Sequence, residues 1–246
     1  MLQPPDSHHF SVLLLLAILG ITYGVLSICL RGPEDQLLAC ILRPLCLAYV
    51  RVFHQLKVFP AEDIVPRKGP AIMVANHRSG VDPVLISILT QRRVRFLMAR
   101  EYYETPGLRW LFRSLGCIPV NRDGNDLSST KAALKALHHG EVIGIFPQGG
   151  IRDTTDFLQW KAGVALLALR TGAPIIPFYI FGSRNLNSVA LSLLTPSRTW
   201  IHCGVPLTFT CARGKPRREE LENVTAEILE SIARLKPLLP AADVAI

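Results

Sequence analysis

Residues 71–83 read Ala71-Ile72-Met73-Val74-Ala75-Asn76-His77-Arg78-Ser79-Gly80-Val81-Asp82-Pro83. Five apolar residues, a polar glycine-bearing turn and an Asp-Pro pair are the pattern of a buried strand, a loop and the first turn of a helix. The stretch therefore predicts a strand-to-helix unit with His77 at the C-terminal end of the strand and Asp82 at the start of the helix. In open α/β sheets that edge is where ligands bind.

The same alternation continues outward. Short apolar runs at 94–99 (VRFLMA), 117–120 (CIPV), 142–146 (VIGIF), 174–180 (PIIPFYI) and 199–207 (TWIHCGVPL) predict further strands. Between them, Thr105-Pro106 opens one helix, Ser128 or Ser129 opens another that Gly140 closes, and Trp160 to Thr171 reads as a third, ending at Gly172. From Pro216 to Leu235, Leu221, Val224, Ile228, Leu229 and Ile232 recur at helical spacing, predicting an amphipathic covering helix. The fold class is α/β: a mostly parallel or mixed central sheet flanked by helices.

Asp82 lies five positions after His77, and Gly80 between them lets the loop fold back. The Asp82 carboxylate can then accept a hydrogen bond from one imidazole nitrogen, fixing the tautomer and leaving the other nitrogen as a base. This is a hydrolase triad without its serine, so the nucleophile would come from a substrate, most simply an alcohol to be acylated. Spacing alone leaves a second reading open, in which Asp82 is a helix N-cap before Pro83 and His77 a hydrogen-bonded loop residue.

NHRSGVD resembles the N-H-x-x-x-x-D motif of the glycerolipid acyltransferases, a family that includes 1-acylglycerol-3-phosphate acyltransferases. Further blocks occur in that family's order: Ala99-Arg100-Glu101 after the second strand, Gly116 to Arg122 (GCIPVNR), Phe146 to Arg152, and Ile176-Pro177-Phe178. Together they span residues 70 to about 208, and four strings in order are far more specific than any one of them. The resemblance implies a glycerol-3-phosphate acyltransferase-like fold, with His77 as general base on the acceptor hydroxyl and Asp82 as its orienter. The acyl donor it implies is a thioester of coenzyme A or acyl carrier protein, used as co-substrate with no cofactor.

By the same resemblance, Arg100, Gly116, Arg122, Gln148, Gly149, Gly150, Arg152 and Lys161 bind substrate. Arg100, Arg122 and Arg152 follow or flank predicted strand ends, and guanidinium forks suit phosphate oxygens. Arg100 stands where many relatives have Lys. The third block departs from the usual F-P-E-G-T-R: Gln148 replaces the glutamate, and Arg152 arrives one residue late after Gly149-Gly150. Gln148 keeps an amide for hydrogen bonding but has no charge to hold an arginine, so the acceptor specificity stays open. The Gly149-Gly150 turn is also a candidate source of backbone N–H groups for an oxyanion.

Phe10 to Leu30 is an uncharged apolar run, and no Lys or Arg occurs in residues 1–30. Twenty-one residues at about 1.5 Å per residue cross a bilayer core, and the missing basic n-region favours an uncleaved anchor over a signal peptide. Arg31, Arg43, Arg51, Lys57, Arg67 and Lys68 follow, which places the rest of the chain on the cytoplasmic side. Leu37 to Val50, interrupted by Arg43 and Pro44, suits an interfacial helix or an ordinary packed one. Two regions result: residues 1–60 as membrane anchor and interfacial helix, and residues 61–246 as the catalytic domain.

The whole composition agrees. The 246 residues carry a net charge of +8 with 49% hydrophobic residues, and the mean hydropathy is +0.29. A basic and apolar chain fits membrane lipids and an anionic lysophospholipid acceptor. Six cysteines without a C-x-x-C pair predict free thiols and no zinc site. Finger spacing and basic helices with interleaved aromatics are absent, which sets nucleic acid aside as a partner.

Overall fold

A computed structural model describes residues 46–60, 64–121, 126–147, 163–184, 189–210 and 216–236. Seven strands form one sheet in the order β1-β7-β6-β2-β5-β3-β4. They are β1 (Lys57–Phe59), β2 (Ala71–Ala75), β3 (Val94–Ala99), β4 (Ile118–Val120), β5 (Val142–Ile145), β6 (Ile175–Phe181) and β7 (Trp200–Cys203). All neighbouring pairs run parallel except β6 and β7, so the sheet is mixed, as the apolar runs and intervening helices predict.

The central strands β2, β5 and β6 are buried along their whole length. Helices cover both faces, which is why these strands read as continuous apolar runs and not as alternating ones. One face packs Ile72, Val74, Ile143 and Ile145 under α5 (Leu127–His138), α6 (Gly163–Thr171) and α8 (Arg218–Arg234). The other packs Met73, Ala75, Phe96, Val142 and Ile176 with Leu85 and Ile86 of α2 (Asp82–Ser87) and Val50 of α1 (residues 46–53). The short helices α3 (Arg100–Tyr103), α4 (Arg109–Ser114) and α7 (Val189–Leu194) complete the described set.

Several boundaries move for physical reasons. The edge strand β1 lies in the segment read as anchor; it pairs with β7, and Val50 and Val65 are buried, so the sheet's own core begins before residue 61. Three residues offer too short a pattern for periodicity to register. The run 199–207 breaks after Cys203. Phe178 pairs with Cys203 and Ile175 with Leu207, which leaves two residues of β6 facing three on the other strand. Pro177, which has no N–H, sits in that interruption, and Gly204 donates to its carbonyl at 2.8 Å. Pro177 thus breaks one side of an interior strand.

At α5, Asp126 is the cap and not a serine: its carboxylate accepts from the backbone N–H groups of Ser128 (3.0 Å) and Ser129 (3.1 Å). With the Ser128 hydroxyl and Asn121 N–H also donating, the Asp126 carboxyl is held well below the usual carboxylate range. The helix read from Thr105-Pro106 begins at Arg109, after a turn closed by the Leu108 N–H on Thr105 O. The covering helix α8 buries Val224, Ile228 and Ile232, as its spacing predicts.

The apolar run 10–30 lies outside the described residues, as does 37–45 of the second apolar stretch. Among the described residues no helix is long and apolar enough to cross a membrane. Residues 46–53 are helical and packed, with Val50 and the following His54 fully buried. Cys117 and Cys203 are free thiols, and burial pushes Cys117 up to about 11 and Cys203 up to about 12. No metal-ligating cluster occurs among the described residues.

Candidate active site

β2 ends at Ala75, and the next residue locks the strand end to its neighbour. The Asn76 side chain donates from Nδ2 to the Ile180 carbonyl and accepts from the Ile180 N–H, both at 2.7 Å. One amide side chain thus imitates a strand residue and extends the β2–β6 ladder past its last register pair. The turn that follows is pinned from the other side as well. A Cβ on Gly80 would lie 2.8 Å from the Val189 Cα, so only glycine lets α7 approach this loop.

Asp82 begins α2, with Val81 as the residue before it and Pro83 in the first turn. Its carboxylate does not cap the helix. It turns back into the loop, where Oδ2 accepts from the N–H groups of Arg78 (2.6 Å) and Ser79 (2.7 Å) and faces His77 Nδ1 at 3.1 Å. The N-cap alternative is therefore excluded. Asp82 is fully buried while the His77 side chain is 17% exposed. The other Asp82 oxygen, Oδ1, is buried and has no hydrogen-bond partner among the described residues.

The imidazole is held on a face as well as an edge. Its ring stacks on Phe146, with centroids 4.4 Å apart and planes 22° from parallel. Phe146 stacks in turn on Phe96 at 5.5 Å and 7°. A carboxylate on Nδ1 places the ring proton there, which leaves Nε2 as the basic nitrogen. The arrangement can take a proton from a hydroxyl and hold the resulting imidazolium against a buried negative charge.

Arg100 follows the C-terminal end of β3, on the same edge of the sheet as His77. It is exposed, and its Nε donates to Asn121 Oδ1 at 2.5 Å. The Asn121 N–H reaches Asp126 at 2.9 Å, so the second block and the α5 cap hold Arg100 at the rim. Gly116 does backbone work: its φ is +69°, and its carbonyl accepts from Arg95 Nε at 2.9 Å. Arg122, Gln148, Gly149, Gly150, Arg152 and Lys161 lie outside the described residues.

Asn76 and Phe146 stand within their motifs, but local spacing assigns neither a role. A polar residue closing an apolar strand and an aromatic closing the next one were the available signals. Phe96 carried none, and Gly144 did: a glycine inside the run VIGIF marks a close approach. A Cβ there would fall 2.4 Å from Phe96 Cε1.

The chain is similar to known proteins. The chain is 25% identical over 198 residues to the 1-acyl-sn-glycerol-3-phosphate acyltransferase of Borreliella burgdorferi, covering 80% of this chain and 76% of that protein. It is 23% identical over 181 residues to the enzyme of that name from Bacillus subtilis, covering 73% and 87%. The crystal structure of the 1-acyl-sn-glycerophosphate acyltransferase PlsC from Thermotoga maritima shares the fold, with a TM-score of 0.63, 21% identity and coverage of 93% and 97%. The model of the Acyltransferase family matches residues 57–181, half of the chain and the whole of the strand-loop-helix unit that holds His77 and Asp82. The chain belongs to the Acyltransferase family.

Proposed function

We propose that this acyltransferase moves a fatty acyl group from a thioester of coenzyme A or acyl carrier protein to the free hydroxyl of a lysophospholipid, with 1-acylglycerol-3-phosphate as the leading acceptor and phosphatidic acid as product. The observation that carries the reading is His77 Nδ1 on the buried Asp82 carboxylate. Nε2 takes the hydroxyl proton as the oxygen attacks the thioester carbonyl. The tetrahedral intermediate expels the thiolate, which recovers the proton from the imidazolium. No metal or prosthetic group is required. The names of the relatives favour the lysophosphatidate acceptor, and exposed Arg100 at the catalytic rim suits its phosphate.

In this reading the apolar run 10–30 anchors the chain in the membrane, with the catalytic domain on the cytoplasmic side, and brings the site to its lipid. Arg122 and Arg152 contribute to phosphate binding with Gln148 and Lys161, and the Gly149-Gly150 turn offers N–H groups to the oxyanion. Gln148 and the displaced Arg152 favour a second reading at one point only: a lysolipid or amino-acid-derived lipid other than lysophosphatidate as acceptor.

The test gives the detergent-purified chain a labelled acyl thioester with a panel of lysolipids, beside His77→Ala. Diacyl product on lysophosphatidate, lost in the variant, is the expected result. Product on a different lysolipid alone supports the second reading. Absence of His77-dependent product with either donor overturns both and leaves a non-catalytic lipid-binding adaptor.

A further inference from the structure

Phe146 opens the block Phe146 to Arg152 and His77 belongs to NHRSGVD, yet their rings lie face to face at 4.4 Å. The Cβ–Cγ bond and the hydrogen bond at Nδ1 together set the mean orientation of the imidazole and leave rocking about χ2. A flat surface on one face of the ring limits that rocking and so narrows the direction of the Nε2 lone pair. Phe146 is itself immobilised, because Phe96 lies parallel beneath it. Phe96 owes its place to Gly144, whose missing Cβ is the space the Phe96 ring edge occupies. Sheet register makes this stack: Phe96 pairs with Gly144, and Val74 pairs with Ile145. Phe146 and His77 therefore leave neighbouring strands side by side.

We propose that Phe146, seated on Phe96, is a positioning residue for His77 that fixes the plane of the base and stabilises its imidazolium form through the negative face of the ring. The inference rests on the acyl-transfer reading, in which His77 carries the acceptor's proton from attack until thiolate departure. During that interval a cation lies on an aromatic face, an attraction absent from the neutral ring. The Asp82 carboxylate supplies charge from the edge, and Phe146 supplies it from below.

Phe146→Leu, Phe146→Tyr and Phe96→Leu are compared in the full chain, in detergent micelles, with thermal unfolding as the folding control. In Phe146→Leu, kcat is expected to fall about tenfold with KM within about twofold of the parent. The acidic limb of its pH profile is expected to move to lower pH, because the cationic ring has lost a stabilising neighbour. Phe146→Tyr should retain both properties. Phe96→Leu, with Phe146 intact, should show the same changes more weakly, and it decides the matter should Phe146→Leu not fold. Parental kcat and an unmoved limb in a folded leucine variant overturn the proposal, as does equal loss in Phe146→Tyr.

Carbethoxylation of His77 by diethyl pyrocarbonate, read by mass spectrometry across the same pH range, follows the unprotonated ring without any turnover. If the parent acylates no lysolipid but the leucine variant still shifts this reaction, the acyl-transfer reading fails and the stack stands. If the parent turns over and the shift is absent, the stack fails alone.

Discussion

Two histidines define the contrast between the catalytic rim and the far edge of the sheet. His77 faces a carboxylate, whereas the ring nitrogens of fully buried His54 face hydroxyls: Nδ1 pairs with Ser197 Oγ at 2.9 Å and Nε2 with Tyr49 OH at 3.2 Å. Ser197 Oγ lies 3.0 Å from Thr199 Oγ1, and the Tyr49 hydroxyl donates onward to the Leu193 carbonyl. Hydroxyls satisfy a neutral imidazole but cannot balance a cation, so burial pushes His54 down to about 4. The same residue type thus pairs with a buried carboxylate in one place, where the proposed function makes it the proton carrier, and in the other is a neutral tie between α1, α7 and the segment leading into β7. What differs is the charge of the partner.

The largest effect expected is on turnover. Replacing His77 with alanine should lower kcat by roughly two to four orders of magnitude, the scale of general base catalysis. The partly exposed side chain leaves stability nearly unchanged. His54→Ala should do the reverse, losing stability and keeping the chemistry, and the contrast breaks if both variants lose kcat alike. Steady-state rates and thermal melts of the two proteins measure it.

Asp82→Asn comes next. The amide keeps one acceptor for the Arg78 and Ser79 N–H groups but removes the negative charge beside Nδ1, so kcat is expected to drop by about two orders of magnitude or more. Stability should fall by roughly 1–3 kcal/mol. Parental turnover in a folded Asp82→Asn protein would remove the carboxylate from the mechanism.

The third expectation concerns pH and sharpens the role of His54. Its folded-state value lies below the unfolded reference of 6.5, so the unfolded chain binds the extra proton. Stability is therefore complete above pH 6.5 and is lost as pH falls toward 4, by about 2–3 kcal/mol from this group. Denaturant midpoints at pH 7.5 and 5 should show that loss, and His54→Gln should remove this share of it. The smallest effect is that of Ser197→Ala, which strips Nδ1 of its partner: about 1–2 kcal/mol of stability, with turnover unaffected.

Much of the catalytic rim was legible beforehand. The spacing of His77 and Asp82 around Gly80 permitted their hydrogen bond, and Asp-Pro announced the helix start. Whether the carboxylate would cap that helix or return to the loop was open, because both geometries satisfy the same spacing; the Arg78 and Ser79 N–H groups decide it. The His54 edge was not legible at all. Its partners lie 143 residues away at Ser197 and on the facing side of α1, and no local pattern encodes a hydrogen bond of that range.

From its residues alone, the chain determined the positions of β2 and β3, the amphipathic face of α8 and the motif order that marks an acyltransferase. Those properties follow from local apolar periodicity and from chemistry-bearing residues at short spacing. The tertiary structure alone decided that β7 runs against β6, that three residues at 57–59 close the sheet edge, and that the Phe146 ring stacks on His77. Apolar strands are locally interchangeable as partners. Their order and register are settled only when every side chain must be packed at once, and that same packing brings Gly144, Phe96, Phe146 and His77 into one stack.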